Sequence, residues 1–233
     1  MKYAIISDIH GNLEALTVVL DEIKRRTVDE IICLGDIVGY GPNPAECIAT
    51  LRDLRIPCLA GNHDVATHDK GVRSTFSPLA RLAIEWTTGK LVEPDIAWLR
   101  KLPYTLLRDE LTFVHASPFE PEEFHYILDA DDAAENFDSF TTQLCFVGHT
   151  HQPAIFCEDM TGRTVVLGTR AIVNVGSVGQ PRDGDARACF GIFDADAWTF
   201  AFVRLAYPVD MTAGKIYSAG LPRQLGERLV FGV

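Results

Sequence analysis

Five short polar clusters punctuate the 233-residue chain: Asp8-Ile9-His10, Gly35-Asp36, Gly61-Asn62-His63-Asp64, Val114-His115 and Gly148-His149-Thr150-His151. Together they offer carboxylate, imidazole and amide-oxygen donors, a set suited to manganese, iron, zinc, nickel or cobalt rather than to a thiolate-demanding metal. The imidazoles of His10, His115, His149 and His151 also argue against a magnesium or calcium site made only of oxygens. Of the seven histidines, only His68 and His125 fall outside the clusters, and these two read as exposed or rim residues. Each cluster alone has an ordinary explanation. Asp-x-His can cap a helix, and Gly-Asp or Gly-Asn pairs are common in turns. All five in one chain, each behind an apolar run, form a pattern that core packing does not require.

The elements that must position these clusters begin with a strand over Lys2–Ser7. A helix over Asn12–Arg25 follows, carrying Leu13, Leu16, Val19, Leu20 and Ile23 at helical spacing. Asp29–Leu34, Pro44–Leu54 and Ile56–Ala60 continue the rhythm as strand, helix and strand. This order predicts a parallel sheet with functional loops at the carboxyl ends of its strands. Residues from about Ser77 to Lys101 read as helical with a break near Pro94. Strands are then expected at Thr112–His115, Leu144–Val147, Ala154–Cys157, Thr164–Leu167, Ala171–Val175, Ala188–Asp194 and Trp198–Leu205, with turns such as Thr161-Gly162-Arg163 between them. A helix over Asp131–Phe140 interrupts the series. The tail from Pro208 is weakly patterned, with one short helix expected near Thr212–Ser218. Two packed mixed sheets with helices outside are the coarse result, in a single domain spanning residues 1–233.

Composition narrows the function classes. The net charge of −11 disfavours non-specific binding to extended nucleic acid, although a metal pair could still hold a small phosphate ester. The apolar runs are strand-sized, too short for a membrane span or a signal peptide, and predict a cytoplasmic protein. Cys33, Cys47, Cys58, Cys145, Cys157 and Cys189 include no Cys-x-x-Cys pair and read as buried, reduced thiols.

In order and spacing, Asp8-x-His10, Gly35-Asp36, Gly61-Asn62-His63-Asp64, His115 and Gly148-His149-x-His151 resemble the calcineurin-like metallophosphoesterase superfamily. The segments Gly35–Pro42 and Asn174–Arg182 look like its compact prokaryotic phosphodiesterase and phosphatase branch. The resemblance implies a four-layer αββα sandwich. It also implies that Asp8, His10 and His151 bind one metal, that Asn62, His115 and His149 bind a second, and that Asp36 bridges them. His63 would stand beside the metals as proton or hydrogen-bond donor with Asp64 orienting it, and Asn174 and Gly176 would shape the pocket floor. Divalent or trivalent manganese, iron, zinc or nickel would serve, with manganese preferred. A hydroxide between two cations is a competent nucleophile near neutral pH, so no serine or cysteine nucleophile is required.

Other residues are open to two readings. Tyr40 either stacks on substrate or packs a turn, and Arg182 and Arg187 either pair with phosphate or form surface salt bridges. Ser117–Pro121 is a candidate rim or lid. The leading expectation is a small-molecule or nucleotide phosphodiesterase, followed by a phosphomonoesterase, a nuclease and a non-catalytic interaction module. An edge strand near Trp198–Leu205 leaves self-association open.

Overall fold

Strand β1 (Lys2–Ile6) shows how the layers arise: Tyr3 and Ile5 enter the core between two sheets, while Ala4 and Ile6 meet helices outside. The computed structural model describes residues 1–159, 162 and 164–233. Beside β1 lies the parallel strand β2 (Glu30–Cys33), and the helices α1 (Leu13–Arg25) and α2 (Pro44–Asp53) cover their outer face. Asn12 starts α1 by accepting the Ala15 amide at 3.1 Å, a cap worth about 1 kcal/mol.

The expected third strand, Ile56–Ala60, contracts to one parallel bridge between Cys33 and Cys58. Leu59 donates to the Cys33 carbonyl, but two residues earlier Pro57 has no amide to continue the ladder. The chain then forms the short helices α3 (Asn62–Ala66) and α4 (Lys70–Thr75), which the periodicity did not signal. Next come α5 (Pro78–Thr88) and α6 (Glu93–Leu99). The expected break lies at Gly89–Val92, and Pro94 opens α6, where its missing amide costs nothing.

Among the described residues, the remaining strands are β3 (Thr105–Arg108), β4 (Leu111–Val114), β5 (Leu144–Val147), β6 (Ala154–Cys157), β7 (Ala171–Asn174), β8 (Ala188–Asp194) and β9 (Thr199–Leu205). One mixed sheet runs β2-β1-β8-β9 and the other β3-β4-β5-β7-β6. Phe113 and Phe146 of the second sheet stack with centroids 5.3 Å apart, and Phe193 of the first sheet packs on Phe146 at 5.7 Å. Truncating such a buried ring costs about 3–5 kcal/mol. Helix α7 (Ala130–Asn136) and a 3₁₀ turn, Phe137–Ser139, cover the outer face of the second sheet. The result is the four-layer αββα arrangement of two mixed sheets.

Two further differences have local causes. Thr164–Leu167 is not a strand: Val165 is buried, but Val166 and Leu167 are exposed, and among the described residues no strand pairs with them. Of the turn expected before it, Thr161 and Arg163 lie outside the described residues. The tail forms two helices, α8 (Val209–Ser218) and α9 (Arg223–Phe231). Their apolar faces pack with Tyr40, Ala80 and Ala83, a partner surface that local periodicity cannot reveal. All six cysteines are free and buried, and no helix of the described residues is long and apolar enough to cross a membrane.

Candidate metal centre

Parallel pairing puts the carboxyl ends of β1 and β2 side by side, and likewise those of β4 and β5. The loops leaving them are tied together. Asp8 N donates to Gly35 O at 3.0 Å, Gly148 N to His115 O at 2.8 Å, and His149 N crosses between sheets to Asp8 Oδ2 at 3.0 Å. Asp8, His10, Asp36, Tyr40, His149 and His151 all hold positive φ, between 49° and 66°. Left-handed backbone at a non-glycine residue costs roughly 1–3 kcal/mol, so the surrounding bonds must over-determine these turns. Two glycines permit the crowding. A Cβ on Gly61 would stand 2.1 Å from Asp36 Oδ1, and one on Gly148 2.1 Å from Ser7 Oγ.

The side chains converge as two groups that share one carboxylate. Ligand atoms of Asp8, His10, Asp36 and His151 lie within 4.8 Å of one another, as do those of Asp36, His115 and His149. Asp36 Oδ2 is 3.5 Å from both His10 Nε2 and His115 Nε2. Three rings are oriented from behind, with Nδ1 of His10, His115 and His151 facing the carbonyls of Val38 (3.1 Å), Leu34 (3.2 Å) and Gln180 (2.6 Å). A carbonyl accepts only, so each Nδ1 carries the proton and each Nε2 presents a lone pair to the centre.

This arrangement fits cations. His10 Nε2 and His151 Nε2 are 3.0 Å apart, two lone pairs facing each other. Asp8 Oδ1, Asn62 Oδ1, His115 Nε2 and His149 Nε2 are buried without a hydrogen-bond partner. Buried polar atoms that remain unpaired cost about 1–3 kcal/mol each, and metal coordination would satisfy all of them. Burial, then the neighbouring charges of Asp8 and Asp64, pushes the Asp36 carboxyl well above the usual range. Burial holds His115 down at about 4 and His10 and His149 well below ordinary histidine, the neutral form a metal requires.

His63 lies beside these groups, its ring 4.8 Å from His10 and 4.5 Å from Tyr40, and it lines the adjoining cavity. His63 Nδ1 is buried without a hydrogen-bond partner, so the expected bond from Asp64 does not reach it. The Asp64 carboxylate instead accepts the amides of Ile37 (3.0 Å), Val38 (3.2 Å) and Gly61 (3.1 Å), clamping the two loops that carry Asp36 and Asn62. Asn174, expected to shape the pocket floor, is bonded to the loop that carries His149. Its Nδ2 donates to Gly148 O at 2.6 Å and Thr150 Oγ1 at 2.9 Å, while its Oδ1 accepts Gly176 N at 3.0 Å. Gly176 packs against Cys189 and does not line the cavity.

Asp36, Asn62, His149 and His151 open on a cavity of about 500 Å³, with Tyr40 and Arg182 in its wall. Arg187 is elsewhere, exposed and paired with Asp185 at 2.6 Å. His68 and His125 do not line the cavity, and His125 pairs with Glu120 at 3.3 Å. Ser117 is buried and bonded to Asn136, so the rim is formed further on, by Glu122, Glu123, Phe124 and Tyr126. Tyr126, 4.1 Å from the His149 ring, was missed, as were Phe76 and Arg228. Nothing local in the sequence marks these three, because only tertiary packing brings them to the cavity.

Comparison with known proteins gives the family of the chain. Residues 1–197 match the model of the calcineurin-like phosphoesterase superfamily domain. An uncharacterized protein from Methanocaldococcus jannaschii is 38% identical over 240 residues, covering 98% of this chain and 97% of its own. The crystal structure of a metallophosphoesterase from Sphaerobacter thermophilus superposes with a TM-score of 0.89 at 43% identity, covering 100% of both chains. A hypothetical protein from Pyrococcus horikoshii shares the fold, with a TM-score of 0.83 at 21% identity over 100% of this chain and 98% of that one.

Proposed function

The chain belongs to the calcineurin-like phosphoesterase superfamily, and from that premise we propose that it hydrolyses phosphodiester bonds in small molecules or nucleotides with two transition-metal ions, manganese foremost. The observation that carries this reading is Asp36, whose single carboxylate serves two groups of inward-facing donors. Asp8, His10 and His151 would hold one ion with Asp36, and His115, His149 and Asn62 the other. When bound, the pair lowers the pKa of water and neutralises charge on the phosphoryl oxygens.

The chain's own residues supply the rest. His63, lining the cavity beside Asp36, donates a proton or hydrogen bond to the departing oxygen. Its position is set by its amide, which donates to Asp36 Oδ1 at 2.8 Å, and by Phe76, 4.6 Å from its ring. Tyr40 and Arg182 form a wall against which the ester is oriented, with the guanidinium carbon 5.6 Å over the phenol ring. A cavity of about 500 Å³, edged by Phe76, Phe124 and Tyr126, leaves room for a second ester substituent. Arg182 favours one second reading, a phosphomonoesterase, because a monoester dianion gains more from a guanidinium.

The test compares bis-p-nitrophenyl phosphate with p-nitrophenyl phosphate, using metal-stripped protein reloaded with manganese and Asp36→Asn alongside. Metal-dependent diester turnover that vanishes in Asp36→Asn is expected. A monoester preference would move the function to phosphatase. No turnover of either across manganese, nickel, iron and zinc would sink the hydrolase reading.

A further inference from the structure

Two arginines reach the cavity from segments that carry none of the metal-facing groups. Arg182 follows the loop after β7. Its Nη2 donates to Gln180 Oε1 at 2.8 Å, and its Nε is buried without a partner. Gln180 is itself anchored, 1% exposed, through the carbonyl that faces His151 Nδ1. Arg228 comes from α9, beyond the residues that match the family model. Leu225 and Leu229 seat that helix in the cluster with Tyr40 and Ala83. Lys215 to Glu14 and Thr212 to Asn12 fasten α8 to the start of α1. Arg228 is thus held by packed helices.

Among the described residues, neither Arg182 nor Arg228 enters an ion pair, whereas nearby Arg187 and Arg204 pair with Asp185 and Asp183. The chain carries 32 acidic against 21 basic residues, so two uncompensated guanidiniums in one cavity are not explained by a shortage of carboxylates. Both side chains are half-buried, Arg182 with its Nε shut off from water, and the fork geometry of arginine suits phosphate. The two donor groups sharing Asp36 already account for the scissile phosphoryl group.

We propose that Arg182 and Arg228 form a second anion subsite, and that the substrate is a phosphate ester carrying a further phosphate-like group away from the bond that is cut. This deepens the hydrolase reading and rests on it. Exposed Glu122 and Glu123 line the same cavity and repel an anion, which leaves the two arginines as the cationic side chains for it there.

The experiment is a calorimetric titration of the manganese-loaded full chain with propylphosphonate and propane-1,3-diphosphonate, neither of which can be turned over. Wild type is expected to bind the diphosphonate about tenfold tighter or more, as an added arginine–phosphonate pair implies. Arg228→Gln should bring the two affinities within about threefold, and Arg228→Lys should keep part of the preference. Equal binding of both compounds by wild type overturns the subsite and leaves the hydrolase reading standing, as does a preference that survives Arg228→Gln. No binding of either also overturns it. An Arg228-dependent preference in a protein without metal-dependent turnover would support the subsite and remove the hydrolase.

Discussion

The backbone amide of His63 donates to Asp36 Oδ1 at 2.8 Å, so the carboxylate that faces His10 and His115 through Oδ2 is held by the residue proposed to meet substrate. Ligand position and donor position are therefore mechanically linked. A change at the turn carrying His63 moves the shared carboxylate as well.

Gly61→Ala tests that link. The added methyl would lie 2.2 Å from Asp36 N, a backbone atom that cannot swing aside. Overpacking of this kind costs about 1–3 kcal/mol, and metal affinity should fall with it. Thermal unfolding and a manganese titration read the two effects, and unchanged metal affinity would mean that Asp36 is not positioned through this turn.

His63→Asn keeps a polar side chain and removes the imidazole proposed to donate a proton or hydrogen bond. Turnover should fall about 100-fold or more, within the range for general acid–base groups, while metal content stays the same. Elemental analysis beside steady-state kinetics checks both. Loss of metal in parallel with activity would recast His63 as part of the ligand set.

Asn174→Ala separates loop support from substrate contact. With the bonds to Gly148 and Thr150 gone, His149 and His151 lose their backing, and metal affinity should drop about 10- to 100-fold. At saturating metal KM should change little. A raised KM with unaltered metal affinity would restore Asn174 to the substrate.

Metal-free protein should be labile to acid. Burial lowers His10, His63, His115, His149 and His151 below the ordinary value of 6.5, His115 to about 4. The folded state thus binds fewer of these protons than the unfolded chain, and stability is lost as pH falls below about 6.5, with the His115 contribution continuing to about 4. Asp36 and Asp64, raised by burial, act in the opposite sense, but five histidines outnumber them. Bound manganese should add about 2.7 kcal/mol of stability at one hundred times the dissociation constant and so move the unfolding midpoint to lower pH. Urea melts across pH 4–8, with and without metal, would show it. A flat metal-free profile would refute the assignment of neutral buried imidazoles.

The sequence by itself determined the donor chemistry and its placement. Asp8, Asp36, His115 and His149 each follow an apolar run, and in a parallel strand the residue after the run must emerge at the carboxyl end. The continuous apolar run Tyr3-Ala4-Ile5-Ile6 likewise signalled a strand covered on both faces. Donor identity and strand period are local, so a linear reading reaches them. Tertiary structure alone decided that Asp64 clamps amides instead of orienting His63, because its partners Ile37 and Val38 are 27 and 26 residues distant. It also decided that Asn174 backs the His149 loop and that Tyr126 and Arg228 wall the cavity. These roles depend on which surfaces meet once the sheets have packed, and no spacing along the chain encodes that meeting.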